Sequence, residues 1–187
     1  MQRRLILKAG LAGLALAGSG GLGAATQDCG SSLREDPNPL EGELEKYPRC
    51  AHCGMDRRKF HYSRALVRYQ GNLVEGTCSI HCLAVSLVKN LGKEAQALHI
   101  ADYGSPAEPR PLTEATRASF IVGGDFPRVM SKRPKTAFAD PELARQAQAD
   151  KGGELVSYDQ ALLAAYTDLA EALKTRRERR REQQSGS

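Results

Sequence analysis

The sequence predicts an α+β fold: two related small β-β-α-β units packed together, with a C-terminal amphipathic helix after them. Three observations lead there. Strand, strand, helix and strand patterns follow one another twice in the same order between residues 62 and 156. Glycine and proline clusters punctuate both runs where elements must end. A last stretch, opening at Ser157, carries apolar side chains at helical spacing. The repeat lies in the pattern, not in residue identity.

Taken in order, the chain opens with Arg3, Arg4 and Lys8 ahead of a Gly/Ala-rich apolar run over residues 9–22. Charge before a short apolar run reads as a removable export signal, and the paired arginines resemble a twin-arginine address. Gly23 and Ala25 are the small residues of a cut after Ala25, which makes 1–25 the signal and the mature protein periplasmic and soluble. An uncleaved anchor helix is the alternative. Residues 26–47 carry Pro37, Pro39 and many acids without periodicity, and are expected to run over the surface as an extended linker.

The main body, a metal-binding domain over 48–163, divides into halves of about 48–104 and 112–157. In the first half, 62–69 alternates as a half-buried strand, Gln70-Gly71-Asn72 turns, and 73–77 returns. Ser79 is the expected N-cap of a helix to about residue 91, with Leu83, Leu87 and Leu91 repeating every fourth position and Gly92 stopping it. A strand over 97–103 follows, and Pro106, Pro109 and Pro111 make a connector. In the second half, a strand over 118–122 meets the Gly123-Gly124-Asp125 turn, and a Pro- and Lys-containing segment runs to Phe138. Asp140 caps a helix over 141–150 with Pro141 at its first position, and 154–156 is a short strand.

Ser157 and Gln160 form a capping box for the last helix, in which Leu162, Tyr166, Leu169 and Leu173 fall on one face. That helix and a charged tail occupy 158–187. Residues 174–182 are almost wholly charged, and are expected to be a solvated helix end with a disordered tail. The alternative is a basic patch making weak contact with a membrane surface or an acidic partner.

Charge excludes less than it first suggests. The 187 residues carry 27 basic and 22 acidic groups, a formal +5; losing Arg3, Arg4 and Lys8 with the signal leaves 24 against 22, or +2. Nucleic acid is therefore not an expected partner. Paired carboxylates, a nucleophile motif, a phosphate loop and a nucleotide fingerprint are all missing from the sequence, so catalysis is not expected.

The chemistry sits in two cysteine pairs, Cys50-Ala51-His52-Cys53-Gly54-Met55 and Cys78-Ser79-Ile80-His81-Cys82. Thiols two residues apart in a tight turn, and thiols four apart at a helix start, can converge on one soft ion. The hairpin between them folds Cys78 back towards Cys53. Unpaired N–H groups in the helix's first turn favour thiolate at Cys78 and Cys82. Met55 adds a thioether, a donor that Cu(I) values and zinc does not. Four readings stay open on the residues alone: a structural four-cysteine zinc site, a Cys50/Cys53 redox pair, two disulfides, and a Cu(I) site. His52 is expected to face solvent, while His81, beside Cys82, is an open candidate ligand. Cys29 is read as a tail thiol without a metal role.

The Cys-x-x-Cys-Gly-Met turn before a strand hairpin resembles the NosL family of nitrous-oxide-reductase accessory proteins. Phe120-Ile121-Val122-Gly123-Gly124-Asp125 with Pro127 and Met130, then Ala137-Phe138 and Gly152-Gly153 before Tyr158, is similar to that family's second half. The resemblance implies a periplasmic Cu(I)-binding protein that delivers copper to a copper enzyme or its assembly machinery, and a pair of related β-β-α-β units. By position it implies Cys53 and Met55 as ligands, with Met130 as a distal thioether. Cys78, His81 and Cys82 are additional to the minimal family pattern, and the lipid-anchor sequence is missing. The candidate metal set is thus Cys50, Cys53, Met55, Cys78, His81, Cys82 and Met130, with Cu(I) as the ion and zinc as the alternative.

Overall fold

The computed structural model describes residues 32–185; the expected export signal and Cys29 lie outside the described residues. Strand β1 (Arg34–Glu35) and a single helical turn α1 (Glu43–Lys46) lead in. The first unit then runs β2 (Ala65–Tyr69), β3 (Leu73–Thr77), α2 (Ile80–Lys89) and β4 (Ala95–Ala101). After β5 (Leu112–Glu114), the second unit runs β6 (Ser119–Val122), β7 (Lys135–Phe138), α3 (Pro141–Lys151) and β8 (Glu154–Val156). Helix α4 (Tyr158–Ser185) closes the fold.

Both units obey one plan. All pairings are antiparallel and the first strand of each unit is central, giving β1-β3-β2-β4-β5 in one sheet and β7-β6-β8 in the other. The fold is α+β, with the two β-β-α-β units and the C-terminal helix that the alternation predicts. Gly71 takes the β2–β3 turn at φ 78, a conformation that costs glycine nothing.

The units share one core. Ala65, Val67 and Tyr69 of β2 meet Ile80 and Leu83 of α2, Phe120 of β6, and Tyr158 and Ala161 of α4. Removing a side chain the size of Phe120 from water stabilises the fold by about 1.5–3 kcal/mol, so this shared surface holds the sheets together.

Several expectations fail for identifiable reasons. Strand β2 is not half-buried, because the lead-in covers its second face: Tyr47 packs on Leu66 and Val74. The lead-in is therefore part of the core rather than a surface linker, with Glu43, Leu44 and Tyr47 all buried. Leu91 is 82% exposed, since α2 ends at Lys89 and the apolar spacing outruns the helix. In α4 the buried face is Tyr158, Ala161, Ala165 and Asp168 rather than the predicted leucine stripe, and Leu173 is exposed. Small side chains let α4 come close to α2 and β6, which larger ones would prevent. Residues 174–182 form the solvated helix end expected of them, and the helix runs on to Ser185, in keeping with the helix propensity of Arg, Glu, Lys and Gln. Long as α4 is, no helix among the described residues is long and apolar enough to cross a membrane.

Candidate metal centre

Two local structures bring the thiols together. The first is the turn after Pro48, closed by Cys50 N–H donating to the Met55 carbonyl (2.9 Å) and Gly54 N–H donating to the Cys50 carbonyl (2.9 Å). Gly54 lies at φ 74, which explains a glycine directly after Cys53. The second is the junction of β3 and α2, with Cys78 just past the strand and Cys82 in the first helical turn. Ser79 occupies the N-cap by its backbone only. Its hydroxyl caps no N–H, contrary to expectation, and lies 3.9 Å from Cys78 Sγ.

All four Sγ atoms lie within 4.8 Å of one another. Cys53 and Cys78 are 3.5 Å apart, Cys78 and Cys82 3.7 Å, and none is bridged. Cys50, Cys78 and Cys82 are buried, Cys53 is partly exposed, and Val129, Phe60, Tyr62 and Met55 pack around them. Three of the thiols are thus enclosed and one stands nearer the surface. Hydrogen bonds from Cys78 and Cys82 hold the Cys50 thiol far below its usual range, and the same bonds to Cys50 push Cys78 and Cys82 up. At Cys78 and Cys82 these bonds act against the helix dipole. The buried sulfurs titrate as one coupled group, in which crowding disfavours a second thiolate.

Of the other predicted donors, Met55 packs on the thiols, and neither histidine joins their group. His81 is buried, its Nδ1 has no hydrogen-bond partner, and burial pushes its pKa down, leaving a neutral ring. Met130 is 44% exposed, while its neighbour Val129 is the residue that touches the thiols.

His52 does not face solvent. Its side chain is 4% exposed and its Nε2 donates to Glu75 Oε2 at 2.9 Å. Glu75, in β3, also accepts hydrogen bonds from Ser86 of α2 and from Ser32. Burial would raise the Glu75 carboxyl, but these donors outweigh it and hold it below the usual carboxylate range. One buried carboxylate thus ties the first cysteine turn and the cysteine-bearing helix to the strand that delivers Cys78.

Beneath the turn, Arg57 is completely buried and donates to the carbonyls of Tyr47, Ala65 and Thr77 while pairing with Glu43 at 2.8 Å. Gly76 makes room for it: a Cβ there would lie 2.7 Å from the Arg57 guanidinium. Sequence reasoning missed Arg57, Glu75 and Glu43. The available signal was a charge inside a strand, Glu75, directly before Gly76.

No curated protein matches the chain. Among solved structures, the crystal structure of the copper chaperone NosL from Shewanella denitrificans matches at 20% identity and a TM-score of 0.48, over 59% of this chain and 87% of that one. The NosL family model matches residues 41–164, well over half of the sequence and all of both cysteine pairs, and the chain belongs to the NosL family.

Proposed function

We propose that this protein is a periplasmic Cu(I) carrier, exported by its N-terminal signal, which passes the ion by ligand exchange to a copper enzyme or that enzyme's assembly machinery. The carrying observation is the convergence of Cys50, Cys53, Cys78 and Cys82, with all Sγ atoms within 4.8 Å of one another. Thiolates are the donors that soft Cu(I) prefers, and Met55 beside them supplies a thioether. Three buried thiols hold the ion away from water. Cys53, the partly exposed one, is where an incoming ligand first meets it. His81 and Met130, which share a groove outside the cluster, are the donors that serve during exchange. The resemblance that names nitrous oxide reductase makes that enzyme the first client to try.

A second reading, a structural zinc site, has its own support. The 3.5 and 3.7 Å sulfur separations are close to the edge of a zinc–sulfur tetrahedron, about 3.8 Å for bonds of about 2.3 Å. One experiment separates the two: anaerobic titration with Cu(I), and separately with zinc, against calibrated chelators, counting free thiols before and after. The carrier reading expects tight stoichiometric Cu(I) binding that protects the thiols and is mostly lost in Cys53→Ser. Tighter zinc binding, with unfolding on chelation, would replace it by the structural site.

A further inference from the structure

A groove of about 600 Å³ runs between the β6–β7 loop and the outer half of α4 and reaches His81, the residue beside Cys82. Its two walls are clamped together. Asp168 of α4, buried, accepts from Arg133 Nε at 2.9 Å and pairs with Lys135 of β7, so its charge is spent inside the wall. Met130 stands on the loop wall, held at φ 63, a backbone region that a methionine seldom adopts and that accompanies its exposed position.

The remaining charge of the lining is unbalanced. Lys132, Lys174, Arg176 and Arg179 face only Glu171 and Glu178, and none of the six makes an ion pair among the described residues. The α4 wall lies beyond residue 164, where the family match ends, and the loop wall lies within the match. The groove's shape separates it from the rest of the basic helix. Arg177, Arg180 and Arg181 are not part of the lining. A flat lipid surface can meet such outward side chains but cannot enter a concave slot.

We infer that this groove docks an acidic segment of the protein that receives the metal, laying the segment's end beside His81 and Met130. The inference rests on the Cu(I)-carrier reading. A soft-donor site next to a basic slot gives a partner both an address and a direction of approach, because complementary charge sets orientation and speeds encounter.

The test uses the full chain, fluorescein-labelled poly-glutamate peptide, and vesicles of phosphatidylglycerol mixed with phosphatidylcholine. Peptide binding is read by anisotropy at about 150 mM salt, where surface charges more than about 8 Å apart are screened. The groove variant Lys174→Glu/Arg176→Glu/Arg179→Glu is compared with the charge-matched Arg177→Glu/Arg180→Glu/Arg181→Glu. The groove variant is expected to bind about ten-fold more weakly, and the control to stay within about three-fold. The Met130 methyl resonance is expected to shift on binding while that of Met55 stays in place. Should the triple change lose helix, Arg179→Glu alone is expected to weaken binding and still move less peptide onto the Met130 signal. Equal weakening in both triples, no peptide binding, or binding to the vesicles alone overturns the inference. Cu(I) affinity is measured on the same samples: a chain that takes peptide in the groove but no Cu(I) overturns the carrier reading and not the acidic-segment site.

Discussion

The two β-β-α-β units place a helix after the same strand, yet they start it differently. In the second unit α3 begins with Asp140, whose side chain accepts from Glu142 N–H at 2.8 Å, with Pro141 at the first helical position. In the first unit α2 begins with a Ser79 that caps nothing, and its first turn holds His81 and Cys82. Helix α3 buries Ala144 alone, whereas α2 buries six of its ten residues. One copy of the plan is stabilised at its helix start, the other is committed there to thiols. The stability that α2 lacks locally comes from tertiary support, namely packing on the shared core and the Glu75 and Arg57 struts.

Substitutions probe the two starts and their supports separately. Arg57→Met has the largest expected effect, a loss of about 3–5 kcal/mol, because it strips three carbonyls of their donor and leaves Glu43 with Arg64 alone. Urea unfolding measures it, and a loss below about 1 kcal/mol would mean the first unit does not stand on this strut. Next comes pH. Cys78 and Cys82 are held protonated above the usual thiol range by their hydrogen bonds to Cys50, and binding must displace those protons. Cu(I) affinity therefore rises with pH, about ten-fold per unit for each proton released. Competition titrations at several pH values check this, and a flat profile contradicts it.

Smaller effects bear on the helix starts directly. Asp140→Ala is expected to cost about 1 kcal/mol of stability without touching Cu(I) binding, while Ser79→Ala should cost less than about 0.5 kcal/mol. Thermal denaturation of the pair decides whether the two starts differ as described; equal losses would erase the contrast. Smallest is Met55→Leu, which keeps the volume and removes the thioether. It should weaken Cu(I) binding by a few-fold, leave zinc binding alone, and scarcely change the melting temperature.

Much of this was legible from local pattern. The β2–β3 hairpin follows from alternation around Gln70-Gly71-Asn72, α3 from Asp140-Pro141, and the start of α4 from Ser157 and Gln160, whose reciprocal capping bonds are both present. The thiol cluster was legible because each pair converges through its own short spacing. What escaped depends on contacts distant in sequence. Glu43 meets Arg57 and Arg64, and His52 meets Glu75, across intervals that leave no period, and buried charges look like surface charges until their partners are known. Strands β1 and β5, two and three residues long, are too short to carry alternation. The buried face of α4 escaped because leucines signal burial more loudly than the alanines that close contact requires.

X-ray absorption on the Cu(I)-loaded protein, beside the same measurement on Cys53→Ser, reads the donors around the ion. Sulfur alone is expected around copper in the native protein, with fewer sulfurs or lost copper in the variant. A shell led by nitrogen or oxygen, unchanged by Cys53→Ser, would contradict a thiol-held Cu(I) ion.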